Sequence, residues 1–147
     1  MLLIGVMLFN TFIALSGLAS MFSKWVASVG ISPIVFLATV LLLYLPLGAL
    51  MDEMSMMLLT IPFYMPTVKA LGIDPVWFGI LVILAWQIGL VAPPVGMIAF
   101  VTQSVLKEVS LQKVYRGCMP FIVALIIVEI VVLFVPGVAL YFVQVMK

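Results

Sequence analysis

The sequence predicts an all-α integral membrane protein, and three observations carry that reading. Of its 147 residues, 67% are hydrophobic and only 7% charged, where a soluble domain carries roughly 25% charged residues. The charges also cluster. None occurs from Met1 to Ser23, from Trp25 to Met51, from Pro75 to Leu106 or from Gly117 to Val128, and Glu129 then stands alone until Lys147. Such gaps are on the scale of a bilayer crossing, about 20 apolar residues. Finally, the chain lacks the short runs of alternating polarity that a membrane β-barrel needs. There is no histidine and a single cysteine, Cys118, so a zinc site, a histidine-based triad and a disulfide framework are excluded. A net charge of +1 gives no reason to expect nucleic acid as a partner.

The first segment, residues 1–22, is a transmembrane helix. It has no basic leading region and no small-x-small cleavage site, so it is not read as a signal peptide. Asn10, Thr11, Ser16 and Gly17 within it mark a face packed on protein. Met21 to Ile31 is expected to be a short link, with Lys24 and Trp25 suited to the water interface. Residues 33–70 begin at Pro33 and contain Pro46, Gly48, Asp52, Glu53, Pro62 and Pro66. Two full crossings plus a loop need more than about 40 residues, so this stretch is predicted to be a re-entrant helical hairpin turning at Gly48 to Glu53. Gly72 is a natural residue to follow a helix ending near Leu71. Asp74 is a natural N-cap with Pro75 at the first helical position. Residues 75–106 form one apolar run, too long for a straight span and interrupted at Ala92 to Gly96, hence a discontinuous transmembrane helix. Residues 107–117 form an amphipathic segment with Lys107, Glu108, Lys113 and Arg116, and residues 119–145 are the last span. The three basic residues of that segment argue that it is cytoplasmic. Lys24 and Lys69 then lie outside, and the hairpin opens from the outer face. No short internal repeat is visible.

The two interruptions offer chemistry. The last carbonyls of a helix have no intrahelical partner and carry partial negative charge. Pro93 and Pro94 have no N–H, so the carbonyls four residues upstream, Gly89 and Leu90, lose their donors. Free carbonyls facing each other at membrane depth suit a small hard cation, with sodium or a proton carrier as candidates. Asp52 would add a carboxylate, and Gly48, Gly89 and Gly96 permit close backbone approach. The plainer alternative is that the prolines only kink their helices, and that Asp52 sits on an interfacial loop between two ordinary spans. Glu53 reads as solvated or paired. Glu129, near the middle of the last span, is a candidate by position, but pairing with a Gln, a Ser or a basic residue of another helix or subunit is the preferred reading. Cys118 reads as a small apolar residue, and the eleven methionines as adaptable packing.

The series GALMDEMSMMLLTIPFYMPTVKALGIDPVWFGILVIL, then IGLVAPPVGMIAFV, then VSLQKVYRGCMPFIV, resembles the C-terminal part of the large membrane subunit of tripartite ATP-independent periplasmic (TRAP) transporters, the DctM-like permeases. The resemblance is clearest over Leu42 to Val123. It implies an ion-transporter-type fold of two inverted repeats, each with a re-entrant hairpin and a broken helix, this chain being the C-terminal repeat. It implies a secondary transporter of the bacterial inner membrane that imports organic acids, such as C4-dicarboxylates or sialic acid, by sodium symport. The implied partners are a small TRAP membrane subunit, a periplasmic solute-binding protein and the N-terminal half of the permease. No bound cofactor is implied beyond Na⁺ as coupling ion. On this resemblance the Na⁺ ligands fall at Gly48, Met51, Asp52, Ala92, Pro93 and Gly96, with solute between hairpin tip and helix break.

Two departures stand out. The family often has a threonine immediately before the paired prolines, and here Ala92 removes that hydroxyl. A full large subunit is several times longer, so this chain is expected to be a fragment or one part of a split protein, unable to transport alone. No arginine lies within a span, so a substrate carboxylate would be recognised by backbone, helix N-termini or the absent half. The reading from another class is a non-transporting membrane subunit or assembly scaffold. An intramembrane enzyme is discounted, because no histidine, Ser/Lys pair or closely spaced pair of acids lies at membrane depth.

Overall fold

A computed structural model describes residues 2–92, 96–105 and 109–145, and these are helical with no strand among them. Among the described residues eight helices follow in order: α1 (Leu2–Ser16), α2 (Leu18–Val29), α3 (Pro33–Leu50), α4 (Glu53–Ala70), α5 (Pro75–Val91), α6 (Met97–Val105), α7 (Leu111–Phe134) and α8 (Pro136–Val145). By length and composition α3 and α7 can each cross a membrane, and α1 with α2 can form a third, bent span.

The first segment is not one straight helix. Gly17 adopts φ 68°, a left-handed conformation that costs glycine little, and the chain turns by 55° there. The expected link over Met21 to Ile31 is helical as far as Val29. It buries Ala19, Ser23 and Val26 and ends at Gly30, φ 70°. A polar stripe of Ser and Lys does not stop a helix when its other face is apolar and has something to pack against.

Capping fixes the middle of the chain. The Ser32 hydroxyl accepts from Val35 N–H before α3, and Pro33 occupies the first turn. After α4, Gly72 at φ 69° lets Ile73 N–H return to Val68 C=O at 2.9 Å. Asp74 Oδ1 then accepts from Val76 and Trp77 N–H at 2.8 and 3.2 Å, opening α5 as the Asp74-Pro75 pair predicts.

The core lies where α3 packs on α5 and α4 on α2. Phe36, Leu37, Val40 and Tyr44 of α3 meet Phe78, Leu81, Val82 and Ala85 of α5, with Val68 and Met56 from α4. Tyr64 ties the two halves together. Its ring lies 6.2 Å from those of Phe22 and Phe36, 6.3 Å from Tyr44 and 6.4 Å from Phe78, within the range where aromatic pairs attract. Helices α3 and α4 pack mainly on other helices, α5 and α2, and Tyr44 reaches across to hydrogen-bond Thr60.

At the C-terminal end, the described part of the basic segment is the first turns of α7, continuous with the apolar helix, and Pro120 sits inside it. The last span divides instead at Val135, just before Pro136, where the ring and missing N–H of proline disfavour continuation.

Prolines leave carbonyls without donors, and neighbouring helices supply replacements. Pro62 cannot serve Leu58 C=O, which takes the Asn10 amide from α1 at 3.0 Å. Pro136 cannot serve Val132 C=O, which takes the Trp77 indole from α5 at 2.8 Å. In a bilayer such substitution is required, because no water completes the backbone.

Candidate functional site

The interruption between α3 and α4 consists of two extended residues. Met51 (φ −121°, ψ 150°) closes α3 with its N–H on Leu47 C=O at 2.8 Å. Asp52 (φ −72°, ψ 154°) opens α4, its Oδ2 accepting from Ser55 N–H at 2.9 Å. The Asp52 side chain is exposed, whereas the Ser55 hydroxyl beneath it is buried with no partner. Asp52 is thus a helix N-cap, a role its sequence position does not suggest. Only part of its carboxylate is committed to capping.

The second interruption follows α5. Ala92 is extended (φ −70°, ψ 140°), its N–H on Ile88 C=O at 2.8 Å. Gly96 is buried and folds back over the end of α5. Its N–H donates to Ala92 C=O at 3.0 Å, and a Cβ there would lie 2.7 Å from Val91 O and 2.9 Å from Ala92 O. Pro93, assigned a ligand role from the sequence, lies outside the described residues, as do Pro94, Lys107 and Glu108.

Backbone contact between the two helix ends brings the interruptions together. A Cβ on Gly48 would lie 2.8 Å from Trp86 O, and one on Gly89 would overlap Leu45 O and approach Gly48 Cα to 3.2 Å. Both glycines are buried. The C-terminal ends of α3 and α5 therefore converge. Trp86 spans them, donating its indole N–H to Met51 C=O at 3.3 Å. From the sequence alone, Trp86 is read only as an interface or packing residue. The available signal is that it precedes Gly89 by one helical turn, on the face that meets α3.

Gly48, Met51, Asp52, Ala92 and Gly96 thus belong to two helix ends in contact at Gly48 and Gly89. Two of the expected carbonyls are engaged, Met51 by the indole and Ala92 by Gly96 N–H. Each carbonyl oxygen retains a second lone pair. Among the described residues no group of three or more His, Cys, Asp or Glu could hold a metal ion. A cation here would depend on carbonyl dipoles, two negative helix ends and one carboxylate, a set suited to a weakly held monovalent ion.

Known proteins resemble this chain over most of its length. Residues 1–138 match the family described as tripartite ATP-independent periplasmic transporter, DctM component. The chain is 34% identical over 128 residues to the sialic acid TRAP transporter large permease protein SiaM of Vibrio cholerae, covering 87% of this chain and 30% of that protein. It is 33% identical over 134 residues to the C4-dicarboxylate TRAP transporter large permease protein DctM of Pseudomonas aeruginosa, covering 91% and 31%. It is also 33% identical over 105 residues to the 2,3-diketo-L-gulonate TRAP transporter large permease protein YiaN of Escherichia coli, covering 71% and 24%. The chain spans under a third of the length of these relatives.

Proposed function

Because the chain belongs to the DctM family of TRAP transporter large permeases, we propose that it forms the C-terminal repeat of a bacterial inner-membrane permease that couples sodium entry to uptake of an organic acid. In this reading α3 and α4 are the arms of a re-entrant hairpin, and α5 and α6 are the halves of a discontinuous helix. Na⁺ is held between Asp52 and the carbonyls at Gly48, Met51, Ala92, Pro93 and Gly96. A small TRAP membrane subunit, a periplasmic solute-binding protein and the remainder of a full-length permease complete the assembly. The relatives' named substrates, sialic acid, C4-dicarboxylates and 2,3-diketo-L-gulonate, share a carboxylate, so an organic anion is the substrate class. The role is transport and not catalysis.

The observation that carries this reading is the backbone contact of Gly48 with Trp86 and of Gly89 with Leu45. Two helices end side by side only if their backbones can touch, and convergent C-termini favour a cation. The test is uptake by membranes containing this chain together with the N-terminal permease part, the small subunit and the binding protein. Asp52→Asn keeps the cap shape but removes the charge. It should raise the sodium concentration needed for half-maximal uptake by about tenfold, corresponding to about 1.4 kcal/mol, with membrane insertion unchanged. An unaltered sodium dependence overturns the role of Asp52. A second reading, a non-transporting scaffold, draws on the donors already present at Met51 and Ala92 carbonyls, which would make the breaks packing kinks. It predicts no sodium-dependent uptake from any such assembly.

A further inference from the structure

An open groove of about 250 Å³ runs between α3 and α7, lined by Ala38, Leu41, Leu42, Leu45, Glu129, Ile130 and Leu133. It shares Leu45 with the contact between α3 and α5, but none of its lining residues is a proposed Na⁺ ligand. Glu129 is the charged residue of this lining, and its Oε1 is buried with no hydrogen-bond partner. Among the described residues no cation is at hand. The elements packed against α7 are α5, α6 and α8, and α3 faces it across the groove. The described residues of these four helices include no Asp, Glu, Lys or Arg. Their titratable groups are Tyr44 of α3, already bonded to Thr60, and Tyr141 of α8. Arg116, the nearest basic residue along α7, is 129 − 116 = 13 residues away, roughly 20 Å at 1.5 Å per residue.

Leu42, one of the residues lining this groove, carries a proline-freed carbonyl. Pro46 lies inside α3 and has no N–H to give Leu42 C=O. Elsewhere in this protein the carbonyls opposite Pro62 and Pro136 take donors from a neighbouring helix, the Asn10 amide and the Trp77 indole. At Leu42 the polar side chain that shares the groove is Glu129, and a carboxylate is an acceptor only. A carboxylic acid is a donor. An unpaired carboxylate in apolar surroundings is costly enough that the group takes up a proton instead.

We propose that Glu129 is a proton-binding site, held as the neutral acid in the groove between α3 and α7, with the carbonyl of Leu42 as the acceptor for its O–H. The ligand is a proton, bound at a place separate from the Na⁺ ligands.

Dicyclohexylcarbodiimide, an apolar reagent that captures protonated carboxyls, tests this on the chain in phosphatidylcholine proteoliposomes. Sites of N-acylurea formation are read by mass spectrometry, with the exposed Asp52 and Asp74 as references. Glu129 should label in mildly acid to neutral buffer, and its labelling should fall about tenfold per pH unit once the acid ionises. Glu129→Gln, a neutral isostere of the protonated acid, should abolish that adduct and leave the unfolding midpoint in place. Glu129 resisting the reagent at every pH in folded protein, or labelling that does not vary with pH, overturns the proposal. So does a Gln variant that fails to fold, since a neutral amide would then be no substitute for the native group.

Discussion

Glycine at 48 and 89 is a steric requirement, because each position faces the backbone of another helix and not a side chain that could move. Overpacking a fixed contact costs about 1–3 kcal/mol. Gly89→Ala should therefore lower stability in detergent unfolding by at least that amount, since its Cβ would overlap Leu45 O. Gly79→Ala, where a Cβ meets nothing within 4 Å, is the matched control and should leave stability unchanged or slightly raised. Equal effects at 79 and 89 would contradict the close approach of α3 and α5. At this scale the sequence is partly legible. Glycines beside prolines announce a break, and Gly72, Asp74 and Pro75 announce a turn, because those signals are local. The hydrogen bond from Trp86 to Met51 joins residues far apart in the chain. Nothing in the neighbourhood of either residue encodes it.

Prolines at the level of the element have been turned into helix–helix joints. Pro62 frees Leu58 C=O and Asn10 binds it, so α1 is tied to α4 by a polar contact in an otherwise apolar interface. Polar bonds of this kind in membrane proteins are worth about 0.6 kcal/mol on average and up to about 1.7 kcal/mol. Asn10→Leu should destabilise by an amount in that range. In a Pro62→Ala background, where the restored backbone N–H can donate to Leu58 C=O, the same substitution should cost less. A double-mutant cycle of unfolding free energies measures the difference, and strict additivity would contradict the pairing. Element boundaries are less legible than element types. The bend at Gly17 and the helical course of α2 escape the sequence because a serine- and lysine-bearing stretch reads as interfacial until its buried face, Ala19, Ser23 and Val26, is known. The start of α7 at Leu111 escapes it because a basic stretch reads as a surface segment separate from the apolar span that follows. The end of α5 at Val91 is visible because proline disfavours a helical conformation in the residue before it, here the extended Ala92.

Taken whole, the molecule is an α2–α5 core flanked by α1 and α7, whose outer faces are strongly apolar, as at Leu15 (84% exposed) and Phe121 (71%). Such surfaces suit lipid or the other segments of a permease several times longer, and they match the membrane class read from the charge gaps. The meeting of the two interruptions depends on tertiary packing, which periodicity does not report. In the proposed function a monovalent cation is bound where α3 and α5 end together. Trp86 is a resident probe of that point through its bond to the Met51 carbonyl. With Trp25→Phe and Trp77→Phe removing the other indoles, the emission of Trp86 should shift saturably with sodium at constant ionic strength. It should not respond to potassium, and the response should weaken in Asp52→Asn. Trp86 emission indifferent to sodium, or responding alike to sodium and potassium, would rule out a sodium site at these helix ends.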